Sequence, residues 1–191
     1  EITFTAQIYE PPLQYHYLRR PYTLIPATST SVPVARYTDA QGRDLPADAA
    51  PDRIAYSIYE VRIRPGIRYQ PHPAFALDAA GQSVYGTVDG ERLRAIETLA
   101  DFPSVSTREL VADDYIYQIK RLAHPRLHSP IFGMMAERIV GLRELGKVLQ
   151  DEARRLPAAA WLDLDRFALP GVTRLDRYSY RITLRGKYPQ F

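Results

Sequence analysis

Arg108-Glu-Leu-Val-Ala-Asp-Asp-Tyr-Ile-Tyr-Gln-Ile-Lys-Arg-Leu-Ala-His-Pro125 is the stretch whose reading decides the fold. Residues 112–123 read as an amphipathic helix. Tyr115, Ile119 and Leu122 fall at i, i+4 and i+7, Ala112 lies one turn earlier, and Ile116 and Ala123 flank the stripe. Asp113 and Asp114 occupy the first turn, where the helix dipole favours negative charge, and Lys120 and Arg121 the last, where it favours positive charge. Pro125 ends the helix because it disfavours helical geometry at His124. A helix of this pattern has to pack its stripe on something, and the flanking sequence is read for that partner.

Upstream, residues 54–64 alternate as a strand. Ala55, Ser57, Tyr59, Val61 and Ile63 share one face, while Tyr56, Ile58, Glu60, Arg62 and Arg64 share the other. The second face carries the charge, so the sheet is expected to be covered on one side only. Residues 35–52 read as a loop or hairpin tip with a turn at Gln41-Gly42, and Pro65-Gly66 is a further turn signal. Residues 1–13 read ambiguously, with a short helix ended by Pro11-Pro12 as one reading. Downstream, Ile131, Met134, Met135, Ile139, Leu142, Leu145, Val148 and Leu149 keep helical spacing, and glycines interrupt it, so two helices with a break near Val140-Gly141 are expected. Residues 172–175 and 179–185 form a hairpin turning at Asp176-Arg177, with Tyr178, Tyr180, Ile182 and Leu184 on one face. These pieces predict an α+β domain spanning residues 1–191. Its antiparallel sheet combines strand 54–64, the C-terminal hairpin and one or two N-terminal strands, and the helices between residues 112 and 156 cover one face.

The chain has 191 residues, enough for one domain with a real core. Its 25 basic and 22 acidic side chains leave a net charge of +3, too even a balance to imply a nucleic-acid partner. It has no cysteine, which excludes disulfides, thiolate catalysis and cysteine-zinc sites. No apolar run approaches the roughly 18 residues that span a bilayer. No leader pattern is present, and the chain opens at Glu1 without Met and stops at Phe191 just after a strand. These ends give the expectation of a domain cut from a longer protein.

Several phrases carry a family resemblance. Ala112-Asp-Asp-Tyr-Ile-Tyr117, followed by Arg121, His124-Pro125 and Ser129-Pro130, resembles the signature of the family 5 extracellular solute-binding proteins, the peptide-binding subunits of bacterial ABC importers. Val111 departs from the Ser or Thr usual there. Ile8-Tyr-Glu-Pro-Pro-Leu13 and the extended run to Ala27, Val61-Arg-Ile-Arg-Pro-Gly-Ile-Arg-Tyr69, and Gly171-Val-Thr-Arg-Leu-Asp-Arg-Tyr-Ser-Tyr180 are similar to three further phrases of that family, in the same order. Residues 70–107 replace the family's short connection and read as a subfamily insertion, with a turn at Gly81 and a short helix near residues 90–100. The resemblance implies the small second domain of a two-lobed, non-catalytic receptor that is periplasmic or a cell-envelope lipoprotein. Its partners would be a peptide or other small solute held between the lobes of the full-length protein, the remaining domains of the same chain, and the ABC permease. No cofactor or metal is implied. The family's ligand contact from this domain falls just after the Ser-Pro, which points to Ile131 as the candidate ligand-binding residue, although Ile131 and Phe132 also read as helix-face core.

Other patterns are weighed against simpler readings. Gly141-Leu-Arg-Glu-Leu-Gly-Lys147 fits most of a P-loop, but Val148 lacks the magnesium-binding hydroxyl and the leucines keep helical spacing. His124 and His128 have metal-ligand spacing only on a helix, and Pro125 lies between them. Asp163-Leu-Asp165 reads as a solvated strand edge rather than a catalytic pair, and the 14 tyrosines mostly as packing residues. Two competing hypotheses are an enzyme, which would gather titration-shifted groups into one cleft, and a stand-alone interaction module using residues 70–107.

Overall fold

A computed structural model describes residues 9–86, 91, 94–157 and 160–189. The chain divides into two compact units, Glu1–Arg64 with Val111–Phe191, and Pro65–Leu110.

The first unit is an α+β fold on an antiparallel sheet. In chain order its strands are β1 Leu13–Tyr15, β2 Leu24–Pro26, β3 Arg36–Thr38, β4 Asp44–Leu45, β5 Tyr56–Arg62, β6 Val172–Arg174 and β7 Ser179–Arg185. Five of them form one sheet in the order β4-β3-β5-β7-β6, and β1 and β2 form a separate hairpin. The long central pair sets the register, with Ser57 opposite Leu184, Tyr59 opposite Ile182 and Val61 opposite Tyr180. All six of these side chains are buried. On the other face Glu60 and Arg181 pair at 2.7 Å, both partly solvated. Period-two alternation thus produces the one-sided sheet it predicts. The hairpin expected in residues 35–52 is β3–β4, and Asp39 closes its turn by accepting the Gln41 and Arg43 N–H groups at 2.9 Å.

The helices are α1 Ala112–Arg121, α2 Phe132–Arg138 and α3 Leu142–Arg155. The break between α2 and α3 falls where the glycines place it. There the chain joins the sheet: the Val140 N–H donates to Thr183 O at 3.1 Å, and the Thr183 N–H to Gly171 O at 2.8 Å. Gly171 makes this possible, because a Cβ at that position would lie 2.2 Å from Val140 O. Ile63, Ile139, Leu142, Leu149, Leu164 and Leu184 are the largest fully buried apolar side chains.

Three local readings need correction. The buried face of α1 is Ala112, Ile116 and Lys120, continued by Ala123, while Tyr115, Ile119 and Leu122 are half-buried beside it. Ile131, Met134 and Val148 are exposed despite their helical spacing, and the buried residue of α2 is Ala136. Asp163 is not on a strand edge: it caps a short 3-10 turn, Leu164–Arg166, by accepting the Asp165 N–H at 3.0 Å.

In the second unit, residues near the two ends run antiparallel. The Leu110 N–H donates to Ile67 O at 2.8 Å, the Tyr69 N–H to Arg108 O at 3.0 Å, and the His72 N–H to Ser106 O at 2.8 Å. Tyr69 packs on Phe75 with ring centroids 5.1 Å apart, and the Arg108 guanidinium lies over both rings. Residues 70–107, read as an insertion, fall within this unit. Of the short helix expected near residues 90–100, residues 90, 92 and 93 lie outside the described residues, and the described part from residue 95 onward is a turn leading to a single 3-10 turn, Leu99–Asp101, rather than a helix. Most of the segment 1–13 also lies outside the described residues.

Candidate functional site

The site is built around α1 and the turn that follows it. Val111 has no side-chain acceptor, so the helix start is closed from the other direction: the Asp114 carboxylate accepts the Val111 N–H at 2.9 Å. Asp113 faces outward and pairs with Arg174 of β6 at 3.0 Å. The Ala112 N–H donates to Arg177 O of the β6–β7 turn at 3.0 Å. Tyr115 then bridges two distant segments. Its ring stacks on Tyr180 of β7, with centroids 5.5 Å apart and planes 17° off parallel. Its hydroxyl lies 2.7 Å from Thr28 Oγ1, which itself donates to Pro11 O at 3.2 Å, so the phenol is the donor in the first bond. Burial raises the pKa of both tyrosines, which keeps this junction neutral and hydrogen-bonded.

The turn from His124 to Ile131 is held by Arg126. Its guanidinium donates to Ala160 O at 2.7 Å and Pro157 O at 3.1 Å, and reaches Ala153 O in the last turn of α3 at 3.5 Å. The dipole of α3 favours a cation at that end. His124 Nδ1 accepts the Arg126 N–H at 3.2 Å, and burial, with the Arg126 and Arg121 charges, lowers its pKa. His128 takes a left-handed backbone, φ 47°. Ile131 is 41% exposed at the start of α2, so the core reading does not hold for it. Phe132, its neighbour, turns inward onto α3 at Gly146, where a Cβ would lie 2.5 Å from the ring.

Gly146 is therefore a packing glycine. The P-loop-like run is helical from Leu142 onward, so it offers no phosphate cradle. His124 and His128 border one pocket of about 480 Å³, together with residues of α3. Among the described residues no group of three or more His, Asp or Glu is arranged to hold a metal ion. A second, apolar pocket of about 200 Å³ lies on the covered face of the sheet, between Tyr59, Val61, Tyr180 and Ile182 and the Pro12-Leu13 segment.

The carboxylates with lowered pKa are Asp39, Asp101 and Asp176, and each is explained first by the backbone N–H groups it accepts in its own turn. Each is a cap of its own turn. Sequence reading missed Lys120 and Arg126. Lys120 is buried, with Nζ donating to Leu164 O at 3.2 Å. Spacing offered a signal for the first, since Lys120 stands four residues after Ile116 on the stripe begun by Ala112. Nothing local marks the second, whose partners lie on other elements. Among the described residues no helix is long and apolar enough to cross a membrane. Comparison with protein-family models, with curated proteins and with solved structures returns no match.

Proposed function

We propose that this chain is the small second domain of a family 5 extracellular solute-binding protein, a non-catalytic part of a periplasmic receptor that delivers peptides or similar solutes to an ABC permease. The observation that carries this reading is the Tyr115 junction. The phrases that suggest the family lie far apart in sequence; two of them meet at one side chain, and a third ends beside it. Tyr115 of the α1 phrase stacks on Tyr180 of the hairpin phrase and bonds Thr28, which adjoins the N-terminal phrase. The strand phrase joins them, because the Ile63 N–H donates to Tyr178 O at 2.7 Å and the Arg64 N–H to Thr28 O at 2.9 Å. An accessory domain of this kind grips no solute alone, and closure of two hinged lobes does the binding. Ile131, exposed at the start of α2, is its proposed contact with the solute.

The test starts from the encoding gene. A leader before Glu1 and a second lobe after Phe191 are expected. Fluorescence titration with trialanine and tetra-alanine should then give saturable binding to the full-length protein and none to residues 1–191. A stop codon directly after Phe191, or equal peptide binding by both, would overturn the proposal.

A second reading rests on the Pro65–Leu110 unit, which has internal backbone pairing and exposes Leu77, Leu99 and Val105. It makes the chain a stand-alone interaction module using residues 70–107, and it predicts that deleting those residues abolishes partner capture while the first unit stays folded.

A further inference from the structure

The pocket between the His124–Ile131 turn and α3 is cationic, and the sequence resemblance assigns it no role. We propose that it binds a small organic anion through a phosphate or carboxylate group. Arg143, Lys147 and Gln150 line one wall from α3, at i, i+4 and i+7, and His124, His128 and Ser129 line the other. Among the described residues no carboxylate lines the pocket. Like charges one turn apart on a helix repel each other, so Arg143 and Lys147 are neighbours that an anion between them would stabilise.

The protein's own acids do little to neutralise this wall. Among the described residues Arg143 pairs with Glu137 at 3.9 Å, and both side chains are more than half exposed, so solvent screens the pair. Among the described residues Lys147 has no ion pair within 4.0 Å. Asp151, one turn further along, is paired with Arg154 at 3.2 Å.

The opposite wall offers hydrogen-bond donors. His124 Nδ1 is the acceptor for the Arg126 N–H, so the neutral ring carries its proton on Nε2 and keeps that N–H to donate. The Ser129 hydroxyl and the Gln150 amide add further polar groups. A guanidinium suits two oxygens of one carboxylate or phosphate, and an ammonium supplies a point charge beside it. Phe132, packed where Gly146 leaves room for its ring, supplies an apolar surface, which favours an organic anion over a bare ion. A volume of about 480 Å³ lies within the range of small-molecule sites. The walls are held in place, because Arg126 ties the turn to the end of α3.

The 191-residue chain would be titrated with inorganic phosphate, citrate and, as a neutral control, glycerol, following amide shifts of Ser129, Gly146 and Lys147 by NMR. The expected result is saturable binding of citrate or phosphate with a Kd below roughly 1 mM, weakened by added sodium chloride, and no saturable shift with glycerol. The two anions distinguish carboxylate from phosphate preference. Arg143 and Lys147 are exposed, so R143Q/K147Q is expected to fold as the parent does, and it should weaken binding at least tenfold. K147Q alone should weaken it at least threefold. No saturable shift with either anion, equal binding of glycerol, or unchanged affinity in R143Q/K147Q would overturn the proposal. It stands or falls independently of the transport reading.

Discussion

Lys120 shows how little a residue's type says about its surroundings. As a last-turn cation it satisfies the helix dipole, yet its side chain is buried, with the ammonium donating to Leu164 O. That carbonyl also accepts the Phe167 N–H at 3.2 Å, so removing the ammonium does not leave it orphaned. The four-carbon stem fills space between α1 and the Leu164–Arg166 turn, as long charged side chains commonly do. Lys120→Ala is therefore expected to cost about 1–2 kcal/mol by lost packing and one hydrogen bond. Lys120→Met, which keeps the stem and removes the cost of burying a charge, should stay within about 1 kcal/mol of the parent. Urea denaturation of the two variants checks this, and equal losses would show that the charge, not the stem, matters. Gly171 belongs to the same scale: it is a glycine because Val140 O approaches its Cα, a contact from a segment thirty-one positions upstream by their numbers.

At the scale of elements, periodicity located most of the pieces. β5, β6, β7, the β3–β4 hairpin and the break between α2 and α3 were legible because alternation and glycine act over a few residues. Which side of each helix is covered was less legible. The apolar stripe of α1 is broad, and packing against the hairpin and the Leu164–Arg166 turn selected Ala112, Ile116 and Lys120 as its deepest line. In α2 the spacing of Ile131 and Met134 suits a core, but their side of the helix has no covering element among the described residues and both are exposed. The turn between α1 and α2 depends on Arg126, which serves as a remote cap for α3. Arg126→Ala should destabilise the first unit by about 1–2 kcal/mol, since hydrogen bonds from a charged donor to part-buried and exposed carbonyls are lost. Amide exchange in the last turn of α3 should accelerate with it, while Arg126→Lys restores part of the stability through one remaining contact. Unchanged exchange at Ala153 to Leu156 in Arg126→Ala would refute the capping role.

For the whole molecule, the fold class was legible and the candidate site only partly. Ile131 was nominated from a resemblance, whereas the cationic pocket needed α3 and the turn brought together in space. The tyrosines divide in the same way. Tyr37, Tyr59 and Tyr180 are buried in or beside the sheet, but Tyr9, Tyr15, Tyr17 and Tyr22 are exposed at the N-terminal end. The buried group makes a global prediction. Burial pushes the Tyr59 hydroxyl up to about 12, aided by the neighbouring Tyr37 and Tyr188, and burial also raises Tyr180. An unfolded tyrosine titrates at about 10, so the unfolded chain loses these protons first as pH rises. The contribution is fully present below about pH 10 and is lost as pH climbs through the folded values. Thermal melts should hold steady from neutral pH to about 10 and then fall steeply, with tyrosinate absorbance from the buried rings appearing only as the protein unfolds. A midpoint that is flat to pH 12 would contradict that burial.

Strand alternation, helix periodicity, turn residues and the absence of cysteine are properties of neighbouring residues or of simple counts, so they could be read along the chain and were enough to establish an α+β fold with one solvated sheet face. The deepest line of α1, the need for glycine at positions 146 and 171, the pinning of the turn by Arg126 and the union of Arg143 and Lys147 with two histidines depend on contacts between segments far apart in the chain. Such contacts leave no periodic mark, because the free energy that selects them comes from packing and charge in three dimensions rather than from the preferences of adjacent residues.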